Sequence, residues 1–304
     1  MDRLTGILPV APTPFHDDGS LDPEGMRRTC DFLIDAGVDA ICILANYSEQ
    51  FLLTDAEREE TQKTALEQVA GRVPVIVTTS HFSTDIAVER AKSAEAMGAS
   101  MLMMMPPYHG TGLRAGPEGI MEHFRAVSDA ISIPIMVQDA PLSGVDLSVP
   151  LLVRMAKEIE NVSYFKIECP FAADKLAALI EAGGEHIVGP FDGEEAVTLL
   201  ADLDAGCTGT MTSGMFPDRI RPIVAEYLAG NTDSALGHWQ ACLPLINHEN
   251  RQCGLRACKA VYKEGGIIGS DHVRHPLAPL SDRTRARLMS LARDLDILAL
   301  TWGK

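Results

Sequence analysis

Val162-Ser163-Tyr164-Phe165-Lys166-Ile167-Glu168 is a short apolar run with a lysine near its end. Seven similar runs lie along the chain, at Ile7 to Ala11, Ala40 to Leu44, Val73 to Thr78, Ser100 to Met105, Ile135 to Gln138, His186 to Gly189 and Cys207 to Thr210. They are continuous rather than alternating, which suits strands of a parallel sheet buried on both faces. Helix-like segments separate them. One starts at Thr54, where Glu57 three residues on completes a capping box; another starts at Ser83, ahead of Thr84 and Asp85; a third follows Pro117. Eight strand–helix units in succession predict an α/β fold, a (β/α)8 or TIM barrel. A doubly wound open sheet is the other arrangement that this pattern allows. Beyond the eighth strand, segments near 219–229, 233–246, 253–263 and 282–299 look helical. The expected organisation is a single structural unit, a barrel core over 1–214 with C-terminal helices over 215–304 packed on it.

Length and composition agree with that plan. The chain has 304 residues, and a barrel typically needs about 250. Hydrophobic residues make up 46% and charged residues 22%, as in ordinary globular chains. A formal net charge of −16 repels nucleic acid and anionic lipid alike, and no Lys/Arg run offsets it. No apolar stretch approaches the roughly 20 residues that span a bilayer, and the opening MDRLTGILPV lacks the apolar segment of a signal peptide. The seven cysteines are scattered, with no C-x-x-C pair, and read as reduced thiols of a cytoplasmic protein.

Three patterns mimic cofactor or metal sites. Gly110, Gly112 and Gly116 follow a strand, but the spacing is G-x-G-x-x-x-G rather than a dinucleotide fingerprint. His248-Glu249 opens like a zinc motif, yet Gln252 stands where the second histidine belongs, and His272 with His275 completes no ligand set; no metal is expected. Met101 to Met105 reads as barrel filling.

Most of the eight lysines sit among polar residues on helix faces; Lys166 alone ends an apolar strand. The carboxyl ends of barrel strands carry active sites. Burial there disfavours the ammonium form, and a neutral amine can attack a carbonyl to form an imine. A lysine extending to solvent, or paired with Glu168, is the structural alternative.

Several ordered motifs are similar to those of the dihydrodipicolinate synthase / N-acetylneuraminate lyase family. They are Gly6-Ile7-Leu8-Pro9-Val10-Ala11-Pro12-Thr13-Pro14-Phe15, Ala45-Asn46-Tyr47-Ser48-Glu49 at the family's G-[ST]-[ST]-G-E loop, Pro106-Pro107-Tyr108, Phe165-Lys166-Ile167-Glu168, Lys259-Ala260-Val261, and Arg274-His275-Pro276-Leu277-Ala278-Pro279-Leu280. The resemblance implies a Schiff-base lysine at Lys166, with no other cofactor, acting on a small 2-keto acid. It also implies an anion-binding loop at Asn46, Tyr47 and Ser48, where Ser48 offers a hydroxyl in place of the family's glycine. Tyr108 implies a homotetramer or homodimer.

Two departures redirect the chemistry. The family's Y-N-x-P motif reads Gln138-Asp139-Ala140-Pro141, so a glutamine replaces the tyrosine that relays the proton in aldol cleavage. Ser143 stands where synthase members carry an arginine. A glutamine amide is no general base near neutral pH. Loss of a C4 hydroxyl as water needs instead a base at C3 and an acid at the departing oxygen. The combination resembles family members that convert 2-keto-3-deoxy-L-arabonate to 2-oxoglutarate semialdehyde and water. In that reading Glu168, two residues along the strand from Lys166, shares its side and serves as the base. Gln138 and Asp192, the latter in Gly189-Pro190-Phe191-Asp192-Gly193, contact substrate; helix capping is the alternative for Asp192. Two other functions remain open: a 2-keto-3-deoxy sugar acid aldolase or other pyruvate-dependent aldolase, and a non-catalytic keto-acid-binding sensor.

Overall fold

The computed structural model describes residues 3–109, 113–140 and 143–304. Strands and helices alternate through β1 (Gly6–Ile7), α1 (Pro23–Asp35), β2 (Ile41–Ile43), α2 (Asp55–Val69), β3 (Val75–Thr78), α3 (Thr84–Ala96), β4 (Met101–Met104), α4 (Pro117–Ser128), β5 (Ile135–Asp139), α5 (Val149–Glu158), β6 (Val162–Ile167), α6 (Ala172–Gly183), β7 (Gly189–Asp192), α7 (Leu199–Asp204), β8 (Gly209–Thr210) and α8 (Pro217–Leu228). Three more helices follow: α9 (Thr232–His248), α10 (Arg256–Gly265) and α11 (Asp282–Asp294). This is the (β/α)8 barrel with C-terminal helices.

The chain forms two compact units. One comprises Met1–Thr5, Ile76–Glu194 and Thr198–Met211. In it the strands from β3 to β8 pair in chain order, all parallel. The other comprises Gly6–Val75, Glu195–Val197 and Thr212–Lys304. There Val10 makes parallel bridges to both Cys42 and Ser213.

Every residue of β3 and β4 is buried, as expected of strands covered on both faces. Met101 to Met105 are wholly enclosed. In α5, Leu151, Leu152, Met155 and Ala156 form the buried stripe, at the spacing of one helix face. The cap at Thr54 closes in both directions, its hydroxyl accepting from the Glu57 N–H and the Glu57 carboxylate accepting from the Thr54 N–H. Ser83 caps α3 through the Ile86 N–H.

One strand lies three residues later than its sequence suggests. His186 belongs to a 3-10 turn, Gly184–His186, and β7 is Gly189–Asp192. Pro190 hid it, because proline cannot donate to a sheet ladder and argues against a central strand. Its carbonyl still accepts from the Thr208 N–H, at 2.8 Å. The helix expected from Cys253 begins at Arg256 instead, after a π-helical segment, Glu249–Cys253, that ends at Gly254. All seven cysteines are free thiols, and only Cys169 is not fully buried.

Candidate active site

Pairing register sorts the side chains at the end of β6. Lys166 lies opposite Gln138 of β5 and Phe191 of β7, while Ile167 lies opposite Asp139 and Asp192. Successive strand residues point to opposite faces. Gln138, Lys166 and Phe191 therefore share one face, and Asp139, Ile167 and Asp192 the other. The ladder continues one step past β6, where the Glu168 N–H donates to the Asp139 carbonyl at 2.9 Å. Glu168 thus falls on the face of Lys166.

Three polar groups converge there. The Lys166 Nζ is 3.3 Å from the Glu168 Oε2. The same oxygen accepts from the Gln138 Nε2 at 2.9 Å. An ionised carboxylate can only accept, so this contact fixes the amide with its nitrogen toward Glu168. The Gln138 Oε1 is left buried with no hydrogen-bond partner among the described residues. Lys166 and Gln138 are 3% and 1% exposed, whereas the Glu168 side chain is 26% exposed. The arrangement is a buried amine beside an accessible, oriented carboxylate, which suits an imine-forming lysine with a proton-transfer partner.

The other face is differently built. Asp192 is fully buried; one of its oxygens accepts from the Glu194 N–H at 2.9 Å and the other from the Thr210 hydroxyl. Burial, and then the neighbouring Asp192 charge, push the Asp202 carboxyl up to about 7. Asp202 also accepts from the Thr198 hydroxyl at 2.8 Å. Asp192 is therefore not brought to Lys166; it looks toward α7. Asp139 pairs with Lys175 at 2.6 Å, and burial raises its carboxyl despite that partner. Lys175 and Asp202 went unnoticed in the sequence. Asp202 had a signal, an acid inside the apolar Leu199-Leu200-Ala201-Asp202-Leu203; Lys175 had none. Ser143 folds onto its own loop, its hydroxyl donating to the Ala140 carbonyl at 2.9 Å. Tyr108 starts a hairpin with Leu113–Arg114 and is half-buried, which pushes its phenol up to about 12. Gly110, Gly112 and Pro141 lie outside the described residues.

In the second unit, Asn46–Ser48 form a 3-10 turn. Ser48 is built into it: its hydroxyl donates to the Ala11 carbonyl at 2.6 Å and accepts from the Ala45 N–H, and its own N–H donates to the Ala45 carbonyl at 2.9 Å. That engages the hydroxyl the sequence reading offered to substrate. Asn46 accepts from the Gln50 amide at 2.7 Å, and Tyr47 is part-exposed. Glu49 follows in the left-handed region, with φ 57°. Its carboxylate accepts from the Lys259 ammonium and from the Arg274 N–H, the latter at 2.9 Å. Lys259 also donates to the His272 carbonyl at 2.9 Å and lies 4.1 Å from the centre of the Phe15 ring. Burial pulls its ammonium down to about 8. Glu249, from the His248-Glu249 pair, accepts from the Ser213 hydroxyl, and burial pushes its carboxyl up to about 7. Among the described residues no three His, Cys, Asp or Glu side chains gather as a metal set, and no helix is long and apolar enough to cross a membrane.

The profile of the dihydrodipicolinate synthetase family matches residues 3–295. The L-2-keto-3-deoxyarabonate dehydratase of Azospirillum brasilense is 58% identical over 301 residues, spanning 99% of this chain and 97% of that protein. The 4-hydroxy-tetrahydrodipicolinate synthase of Methanosarcina mazei is 28% identical, spanning 96% of this chain and 99% of that protein. A crystal structure of a Pseudomonas aeruginosa protein of the dihydrodipicolinate synthetase type superposes with a TM-score of 0.90 at 31% identity, covering 96% of this chain and 99% of the other. With a family profile and full-length relatives in agreement, the chain belongs to the dihydrodipicolinate synthetase family.

Proposed function

We propose that this chain is a hydro-lyase that removes water from 2-keto-3-deoxy-L-arabonate through an imine on Lys166. The observation that carries the reading is the convergence of Lys166, Glu168 and Gln138 on one face. The 58% identity to the Azospirillum brasilense dehydratase supports the substrate.

In this reading Lys166 condenses with the C2 ketone, releasing water. The protonated imine draws electrons from C3, and Glu168 takes the C3 proton to give the enamine. The enamine electrons return to form the C3–C4 double bond as the C4 hydroxyl departs with a proton from Glu168. Loss of a C5 proton with return of a proton to C3 then gives the C4–C5 enol beside the restored imine, and the enol tautomerises to the aldehyde. Hydrolysis of the imine frees 2-oxoglutarate semialdehyde and restores the lysine. The net change is loss of one water.

Gln138 lacks the basicity to deprotonate a C4 hydroxyl, which disfavours carbon–carbon cleavage. The working form is proposed to be a cytoplasmic homo-oligomer, which light scattering tests. The activity test is a product screen over C5 and C6 2-keto-3-deoxy acids, with borohydride trapping of pyruvate read by mass spectrometry. Semialdehyde is the expected product, and an adduct on Lys166 the expected mass. Abundant pyruvate without semialdehyde would show an aldolase; an adduct without turnover of any acid would show a sensor.

A further inference from the structure

Gly193 follows β7, and its N–H donates to the Ile167 carbonyl at 2.9 Å, extending the ladder one residue. It lies two residues beyond Phe191, so a side chain here would point to the face of Lys166. A Cβ built at this position would lie 2.9 Å from both the Cγ and the Cε of Lys166, and 3.0 Å from the Cβ of Glu168. Carbon atoms in ordinary contact sit about 3.5–4.0 Å apart. The space that any other residue would fill is taken by the stem of the lysine and the root of the glutamate. The Gly193 backbone does not require glycine, because its φ lies outside the left-handed region. What forbids a side chain is the reacting pair itself.

We propose that Gly193 is a positioning residue: its missing side chain is the seat that sets Lys166 against Glu168, with the Gln138 amide holding Glu168 from β5. This rests on the reading of Lys166 as the imine lysine. Gly189 offers a matched control on the strand that Gly193 extends, facing the same side. A Cβ there would meet the Tyr164 ring at 2.7 Å, crowding the sheet without touching the pair.

The experiment compares wild type, Gly193→Ala and Gly189→Ala. It measures the borohydride-trapping rate with pyruvate per folded molecule, kcat and KM for the dehydration, and thermal melts. Gly193→Ala is expected to fold and to trap at least tenfold more slowly, with the loss in kcat rather than KM. Gly189→Ala is expected to melt earlier yet trap at the wild-type rate. Equal trapping by Gly193→Ala and wild type overturns the proposal. So does an equal loss in both variants, which would mark general crowding of β7. A Gly193→Ala chain that does not fold also overturns it, because the glycine would then serve the fold. A wild type that traps nothing fails at the earlier step, the imine itself.

Discussion

Two lysines of this chain are buried beside a glutamate, one at the end of β6 and one in α10. Lys259 is sealed, with no exposed surface, and its charge is met by the Glu49 carboxylate, the His272 carbonyl and the Phe15 ring. Its burial fastens Glu49 in a left-handed conformation that non-glycine residues rarely adopt. Lys166 is nearly as buried, yet its glutamate is a quarter exposed and divides one oxygen between the lysine and Gln138. On the proposed function, burial alone does not decide which lysine reacts. The difference lies in whether its partner is fixed by the fold or can turn to a substrate.

The comparison predicts that removal of each lysine damages a different property. Lys166→Ala should lower turnover by roughly four orders of magnitude or more, as loss of a nucleophile does, while leaving the urea midpoint nearly unchanged. Parallel assays and unfolding curves test this, and residual turnover above a hundredth of wild type would break the contrast. Lys259→Met should strand a buried carboxylate and destabilise the fold by about 3–5 kcal/mol. Adding Glu49→Leu should recover part of that in urea unfolding. If the single variant unfolds like wild type, Lys259 is not the anchor described.

A third substitution probes the shared oxygen. Gln138→Leu removes a hydrogen bond to a charged group, worth about 1.5–3 kcal/mol, so turnover should fall roughly 10- to 100-fold while borohydride still traps Lys166. The melting temperature should not fall, since the unpartnered Gln138 Oε1 goes too. The smallest effect concerns Arg274, whose hydrogen bonds to Glu57 hold that carboxyl down to about 2, against an ordinary 4.5. A depressed carboxyl contributes its stability above about 4.5 and loses it as pH falls toward 2. Glu57→Gln keeps the capping box but removes the charge. It should cost up to about 1 kcal/mol at neutral pH, a gap that closes on acidification in pH-dependent melts.

The sequence exposed one lysine and concealed the other for physical reasons. Lys166 stands out because a charge at the end of an apolar strand is visible in one dimension, and Glu168 follows from strand periodicity. Lys259 sits in Cys258-Lys259-Ala260-Val261-Tyr262-Lys263, where nothing local separates a buried helix face from an exposed one, and its partner Glu49 is 210 residues away. The expectation for Asp192 depends on where the seventh strand ends. With the strand placed over His186 to Gly189, Asp192 looked like a loop residue able to reach substrate. As the last residue of β7 it takes the parity of Ile167 and turns away. Gln138 was located through its motif, but its bond to Glu168 depends on the β5–β6 register, which only pairing reveals.

The buried acids have a consequence for the molecule as a whole. A formal charge of −16 counts every carboxyl as ionised. Asp202 and Glu249, both lifted to about 7 by burial, hold their protons to higher pH than the same groups in an unfolded chain, at their ordinary 3.8 and 4.5. Folding therefore takes up protons at these groups. Because the native state binds the excess, mild acidification from about pH 7 toward 4.5 favours folding through these two groups, and the native chain is slightly less anionic than its sequence implies.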